Sequence, residues 1–215
     1  MPDLRAEIIR VAQAAVSCGL MPGVSGNVSC RADKDGTPGF YITPSGMAYE
    51  RLMPDDIPWV SIAGEWDAEG PRPSSEWRLH RDLYARPDAG AVLHAHSPYA
   101  TALACLNRAI PPFHYMIARF GGDTIRCAPY APFGTQALSE HAMTALQNRS
   151  ACLLANHGMV VYAPNPAAAL ALGQELETLC QHYALACQIG EPALLGAEEM
   201  ADALLRFKDY ATGKG

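Results

Sequence analysis

Short strand-like runs in the middle of the chain, each followed by a helix-opening signal, constrain this sequence more than any other feature. Residues 91–96 alternate as a strand does, and Ser97-Pro98 behind them supply an N-cap and a first-turn proline for a helix reaching Asn107. Residues 151–155 and 159–162 read as two further strands, after which Asn165-Pro166 opens a long helix towards Gln188. Residues 28–31 and 40–43 flank Asp35-Gly36 as a hairpin, and residues 59–62 and 124–128 read as shorter strands. Leu4, Ile8, Val11, Ala12, Ala15 and Val16 recur at helical spacing before Gly19, which is placed to stop that helix. Further helices are predicted from Pro73-Ser74-Ser75 to about Arg86, from Thr135 to Asn148, and over residues 198–210. Strands with helices between and around them give an α/β sheet covered by helices, with strand direction left open by the pattern. No repeat or linker divides the chain, so residues 1–215 read as one domain.

Charge and composition exclude several classes. Sixteen basic residues stand against 22 acidic ones, for a net charge of −6, and no basic footprint for nucleic acid is visible. No apolar run approaches the roughly 20 residues of a membrane span, and residues 1–10 lack the order of a secretory signal. Seven cysteines, an odd and scattered set without a CxxC pair, read as reduced, buried thiols of a cytoplasmic protein.

The chemistry-bearing residues begin with His94-Ala95-His96. Side chains repeat every second residue in a strand, so both imidazoles leave one face, a pair suited to a divalent ion such as zinc and equally to a polar sheet face. His157 follows a strand and precedes Gly158, at a strand end where ligands collect, and a third histidine makes an open, catalytic type of metal site. Glu76, in the first turn of the helix opened by Pro73-Ser74-Ser75, favours the positive end of that helix; beside a metal it would serve as proton carrier or fourth ligand. His80, four residues on, reads as structural. Gly26-Asn27, Ser45-Gly46 and Ser74-Ser75 are clusters of small residues that form ordinary turns or, if they converge, a phosphate cradle without lysine. Nothing in their spacing shows convergence.

Taken in order, Ser25-Gly26-Asn27-Val28-Ser29, Ile42-Thr43-Pro44-Ser45-Gly46, Pro73-Ser74-Ser75-Glu76-Trp77-Arg78, His94-Ala95-His96, the stretch 110–117, the stretch 127–135 and His157-Gly158 resemble the class II aldolase/adducin family nearly end to end, most closely its branch acting on L-fuculose 1-phosphate. The resemblance implies a central, mostly antiparallel sheet with helices around it, and zinc held by His94, His96 and His157 with Glu76 beside it; manganese and cobalt are alternatives. It implies reversible cleavage of a ketose 1-phosphate to dihydroxyacetone phosphate and an aldehyde. In it Glu76 would carry a proton at C3 of dihydroxyacetone phosphate. Tyr115 would reach from a neighbouring subunit of a homotetramer to the C4 oxygen. Gly26, Asn27, Ser45, Gly46, Ser74 and Ser75 match phosphate-binding positions, and Phe133 and Tyr210 match residues around the aldehyde. The chain departs from that branch at Asn156, where a histidine is usual, and in its tail, residues 209–215. Cleavage of 5-deoxyribulose or 5-methylthioribulose 1-phosphate, a sugar-phosphate 4-epimerase, a dehydratase and a non-catalytic adducin-like module are the alternatives; glutamate rather than aspartate at position 76 argues against the epimerase.

Overall fold

A computed structural model describes residues 3–211. They form one seven-stranded sheet in the order β3-β2-β1-β4-β7-β6-β5, from β1 (Asn27–Arg31), β2 (Gly39–Ile42), β3 (Trp59–Ser61), β4 (Ala91–Ala95), β5 (Cys127–Ala128), β6 (Ala151–Leu154) and β7 (Gly158–Ala163). Every neighbouring pair is antiparallel except β5 with β6. Alternation sorts the side chains onto two buried faces. Val28, Leu93, Ala95, Met159 and Val161 face α1 (Leu4–Ser17), α3 (Pro98–Ala104) and α5 (Pro166–Ile189). Phe40, Ile42, Val92, Leu154 and Val160 face α2 (Trp77–Leu83) and α4 (Gln136–Ala145). The last helix, α6 (Ala197–Ala211), lies on a 3₁₀ segment over Tyr115–Phe120. The mostly antiparallel sheet covered by helices is the expected class.

Several expected boundaries are corrected. The strand expected over 124–128 is only two residues long, because Ile125 pairs with Ile110 in an isolated bridge rather than with the sheet. The helix expected from Pro73-Ser74-Ser75 begins at Trp77, after Ser74 has been tied back to Thr43 by a 3.1 Å backbone bond, and it gives way to turns before Arg86. The helix after Thr135 stops at Ala145, short of Asn148. Ser97 precedes α3 without capping it. Its hydroxyl instead donates to Glu177 of α5 at 2.6 Å, and that carboxylate accepts the N–H groups of Tyr99 at 2.8 Å and Ala100 at 2.9 Å. Of the cysteines, all free, Cys30, Cys152 and Cys180 are buried as expected, but Cys18, Cys105 and Cys187 are exposed. No helix among the described residues is long and apolar enough to cross a membrane.

Candidate metal centre

Three neighbouring central strands deliver the cluster at one end of the sheet. Asn27 at the start of β1 pairs with His94 near the end of β4, and His94 pairs with Val160 of β7. His96 follows β4 and His157 immediately precedes β7. The turn into His157 passes through Asn156 at φ 54, a left-handed conformation that asparagine tolerates, and closes with a 3.0 Å bond from His157 N–H to the Leu154 carbonyl. Gly158 lets β7 start hard against β4, since a Cβ there would lie 2.4 Å from the Ala95 carbonyl oxygen.

Glu76, His94, His96 and His157 place one ligand atom each within 4.8 Å of one another. His94 Nε2 lies 2.9 Å from His96 Nε2 and 3.0 Å from Glu76 Oε2, and His157 Nε2 lies 3.4 Å from Glu76 Oε1. His94 Nδ1 lies 2.8 Å from the Met159 carbonyl, which fixes the ring with Nε2 towards the cluster. Burial raises the Glu76 carboxyl, but the charges of His94 and His157 and hydrogen bonds from His94 and Asn27 outweigh it and hold Glu76 below the usual carboxylate range. Burial and His94 push His96 and His157 down to about 4, so both are neutral near pH 7 with their nitrogens available. Glu76 Oε1 is buried without a hydrogen-bond partner. Three imidazoles, one carboxylate and an unsatisfied buried oxygen fit a divalent ion.

Glu76 does not occupy the expected first helical turn; it is the residue before α2, with φ −96 and ψ 15, which frees its side chain to turn into the cluster. The metal end forms part of a cleft of about 350 Å³. Gly26, Asn27, Ser45, Gly46, Ser74 and Ser75 all line it, so the structure brings together three clusters that the spacing leaves unrelated. Thr43 joins the first two: it exchanges two bonds with Val28, of 3.0 and 3.2 Å, next to Asn27 and just before Pro44-Ser45. A bridge between Pro44 and Pro73, with a 2.9 Å bond from Ser45 N–H to the Arg72 carbonyl, joins the second and third. Among the described residues, no lysine or arginine lines the cleft.

Phe133 stands at the rim, 70% exposed, beside Tyr130. Tyr115 does not line its own chain's cleft; it is 54% exposed and stacks on His114 and Phe207. The Tyr210 side chain lies outside the described residues. Ser25 and Tyr130 line the cleft although neither is among the expected site residues; each lies within a block that carries the resemblance, the one signal that points to them.

The model of the family described as "Class II Aldolase and Adducin N-terminal domain" matches residues 6–184. The chain is 48% identical over 209 residues to a 5-methylthioribulose-1-phosphate/5-deoxyribulose-1-phosphate aldolase of Rhodospirillum rubrum, covering 96% of this chain and 92% of that protein. It is 45% identical over 209 residues to the L-fuculose phosphate aldolase of Escherichia coli K12, covering 96% and 95%. A solved structure of an L-fuculose 1-phosphate aldolase superposes with a TM-score of 0.90 at 38% identity, over 97% of each chain.

Proposed function

The chain belongs to the class II aldolase and adducin family, and from that premise we propose that it is a zinc-dependent aldolase releasing dihydroxyacetone phosphate from a ketose 1-phosphate. The observation that carries this reading is the shared cleft: a Glu76–His94–His96–His157 cluster beside small-residue loops rich in hydroxyl, amide and backbone N–H groups.

A divalent ion bound by His94, His96 and His157 supplies Lewis acidity where negative charge develops on the substrate oxygens. Gly26, Asn27, Ser45, Gly46, Ser74 and Ser75 hold the phosphate and so place the three-carbon half of the substrate against the cluster. In the condensation direction Glu76, buried and ionised, takes a proton from C3 of that half; in cleavage its protonated carboxyl gives that proton to C3, and the proton leaving the C4 hydroxyl restores the balance. The exposed Tyr115 serves the C4 oxygen of a substrate in an adjacent subunit of a homotetramer. Phe133 and Tyr210 border the aldehyde. Residues 1–215 act as one domain, in the cytoplasm, with the thiols reduced.

The relative at 48% identity supports a second reading of the aldehyde half equally well: a deoxy or methylthio group in place of the fuculose hydroxyls. One assay separates these and the rival classes. Purified protein is offered L-fuculose, 5-deoxyribulose and 5-methylthioribulose 1-phosphates, and dihydroxyacetone phosphate is measured. Release from one or more is expected. A change of sugar configuration or loss of water without that product identifies an epimerase or dehydratase, and no turnover of any kind identifies a binding module.

A further inference from the structure

One more buried histidine adjoins the site, and the reaction outlined above does not use it. His80 is fully buried on α2, one turn beyond Glu76. Its Nδ1 lies 2.6 Å from Ser29 Oγ, which lies 2.6 Å from the Tyr84 hydroxyl, and its Nε2 is hydrogen-bonded to Asn27 Oδ1. Asn27 Nδ2 in turn lies 3.0 Å from Glu76 Oε2 and 3.0 Å from Ser74 Oγ.

The polarity of this chain is set at its carboxylate end. An ionised carboxylate only accepts, so Asn27 must turn its Nδ2 to Glu76 and its Oδ1 to His80. An amide oxygen also only accepts, so His80 must carry its proton on Nε2 and accept on Nδ1 from Ser29. Ser29 then takes a hydrogen bond from Tyr84. Each donor in the series Tyr84, Ser29, His80, Asn27 therefore points towards Glu76.

We propose that His80 is a positioning residue which, through Asn27, pins Glu76 by Oε2 and leaves Oε1 as the acting oxygen. The proposal deepens the aldolase reading and rests on it for the role of Glu76. Its geometric support is the unequal treatment of the two carboxylate oxygens: Oε2 accepts from Asn27, while Oε1 is buried with no hydrogen-bond partner. The same arrangement decides what Ser74 offers. Its oxygen accepts from Asn27 and, at 3.3 Å, from the Glu76 N–H, which leaves the hydroxyl proton for the cleft that Ser74 lines. Burial and His94 push His80 down to about 3, so it stays neutral and keeps a single tautomer. An apolar side chain at position 80 would leave Asn27 Oδ1 without its donor, so that the amide is held only from the Glu76 and Ser74 side and no longer fixes the carboxylate in place.

The tautomer is read on the wild-type, metal-loaded protein by nitrogen-15 NMR of the histidine rings, with His80→Gln identifying the signal. A protonated Nε2 and a bare Nδ1 across the neutral range are expected; a proton on Nδ1, or on both nitrogens, overturns the proposal. In the assay, a folded His80→Leu protein should lose about a hundredfold in kcat with far less change in KM. His80→Gln, whose amide supplies one donor and one acceptor, should recover most of that loss. A folded His80→Leu protein with wild-type kcat, or equal losses in the two variants, overturns the positioning role. If the wild type releases dihydroxyacetone phosphate from no ketose 1-phosphate, the functional reading falls, while the tautomer measurement still decides the hydrogen-bond chain.

Discussion

Gly26 sits at φ +86 with no room for a side chain: a Cβ there would lie 2.8 Å from the His94 carbonyl oxygen and 2.9 Å from the Met21 side chain. Gly26→Ala therefore combines a strained backbone with a backbone collision, at a cost of about 1–3 kcal/mol for the strain alone. The expected outcome is a lower urea midpoint together with weaker divalent-metal binding, because β1 and β4 must part where they carry Asn27 and His94. His94→Ala and His96→Ala should lose most bound metal by elemental analysis yet keep their fold, since the core is built from other residues; full metal occupancy in both would remove these histidines from the site. The two histidines were legible because a strand's period of two puts them on one face. The convergence of Asn27, Ser45 and Ser74 was not. It depends on Thr43 and on the pairing of Pro44 with Pro73, contacts between segments that no local pattern couples. The position of Glu76 outside the helix was hidden for a similar reason, since the backbone of Ser74 is claimed by Thr43.

The helix following His96 is capped from 80 residues away in the chain, by Glu177 of α5. Glu177→Ala would leave the N–H groups of Tyr99 and Ala100 without their acceptor, a loss of about 1–3 kcal/mol for each that stays dry. Because α3 starts directly behind His96, metal affinity should fall along with the urea midpoint; a variant as stable as the wild type would show that water replaces the carboxylate. Strand alternation and helical spacing announced the existence and order of the main elements. Their ends were less legible: a cap reads as local until the tertiary partner is seen, as Ser97 demonstrates. The expected strand over 124–128 is a comparable case, because Ile125 has the right character but pairs with Ile110.

At the scale of the whole molecule, acid should unfold the protein through its buried histidines. His80 is pushed from its ordinary 6.5 down to about 3, so between those values the unfolded chain binds a proton that the native chain refuses. The stability linked to His80 is thus fully present above pH 6.5 and is lost as pH falls towards 3, by at most about 1.4 kcal/mol per pH unit for one proton. Glu76, held below its usual range, adds loss of the same sign at the acid end. Urea midpoints measured across this window should fall with a shallower slope in His80→Gln; an unchanged slope would show that His80 is already protonated in the native state. Assembly gives a second test. Inactive Glu76→Gln and Tyr115→Phe proteins, unfolded and refolded together, should regain activity when an intact Glu76 meets an intact Tyr115 across an interface; verified subunit exchange without recovery would confine the site to one chain. The cleft has a further consequence. Its small-residue loops offer neutral donors to an anion, with no lysine or arginine among the described residues of its lining, on a chain of net charge −6. Added salt then has no side-chain cation to screen at the phosphate, which leaves only the attraction of a bound divalent ion and the general repulsion of the chain. The KM for a phosphorylated substrate should rise with ionic strength much less than a lysine-lined pocket would give; a steep rise would show that a side-chain cation reaches the phosphate.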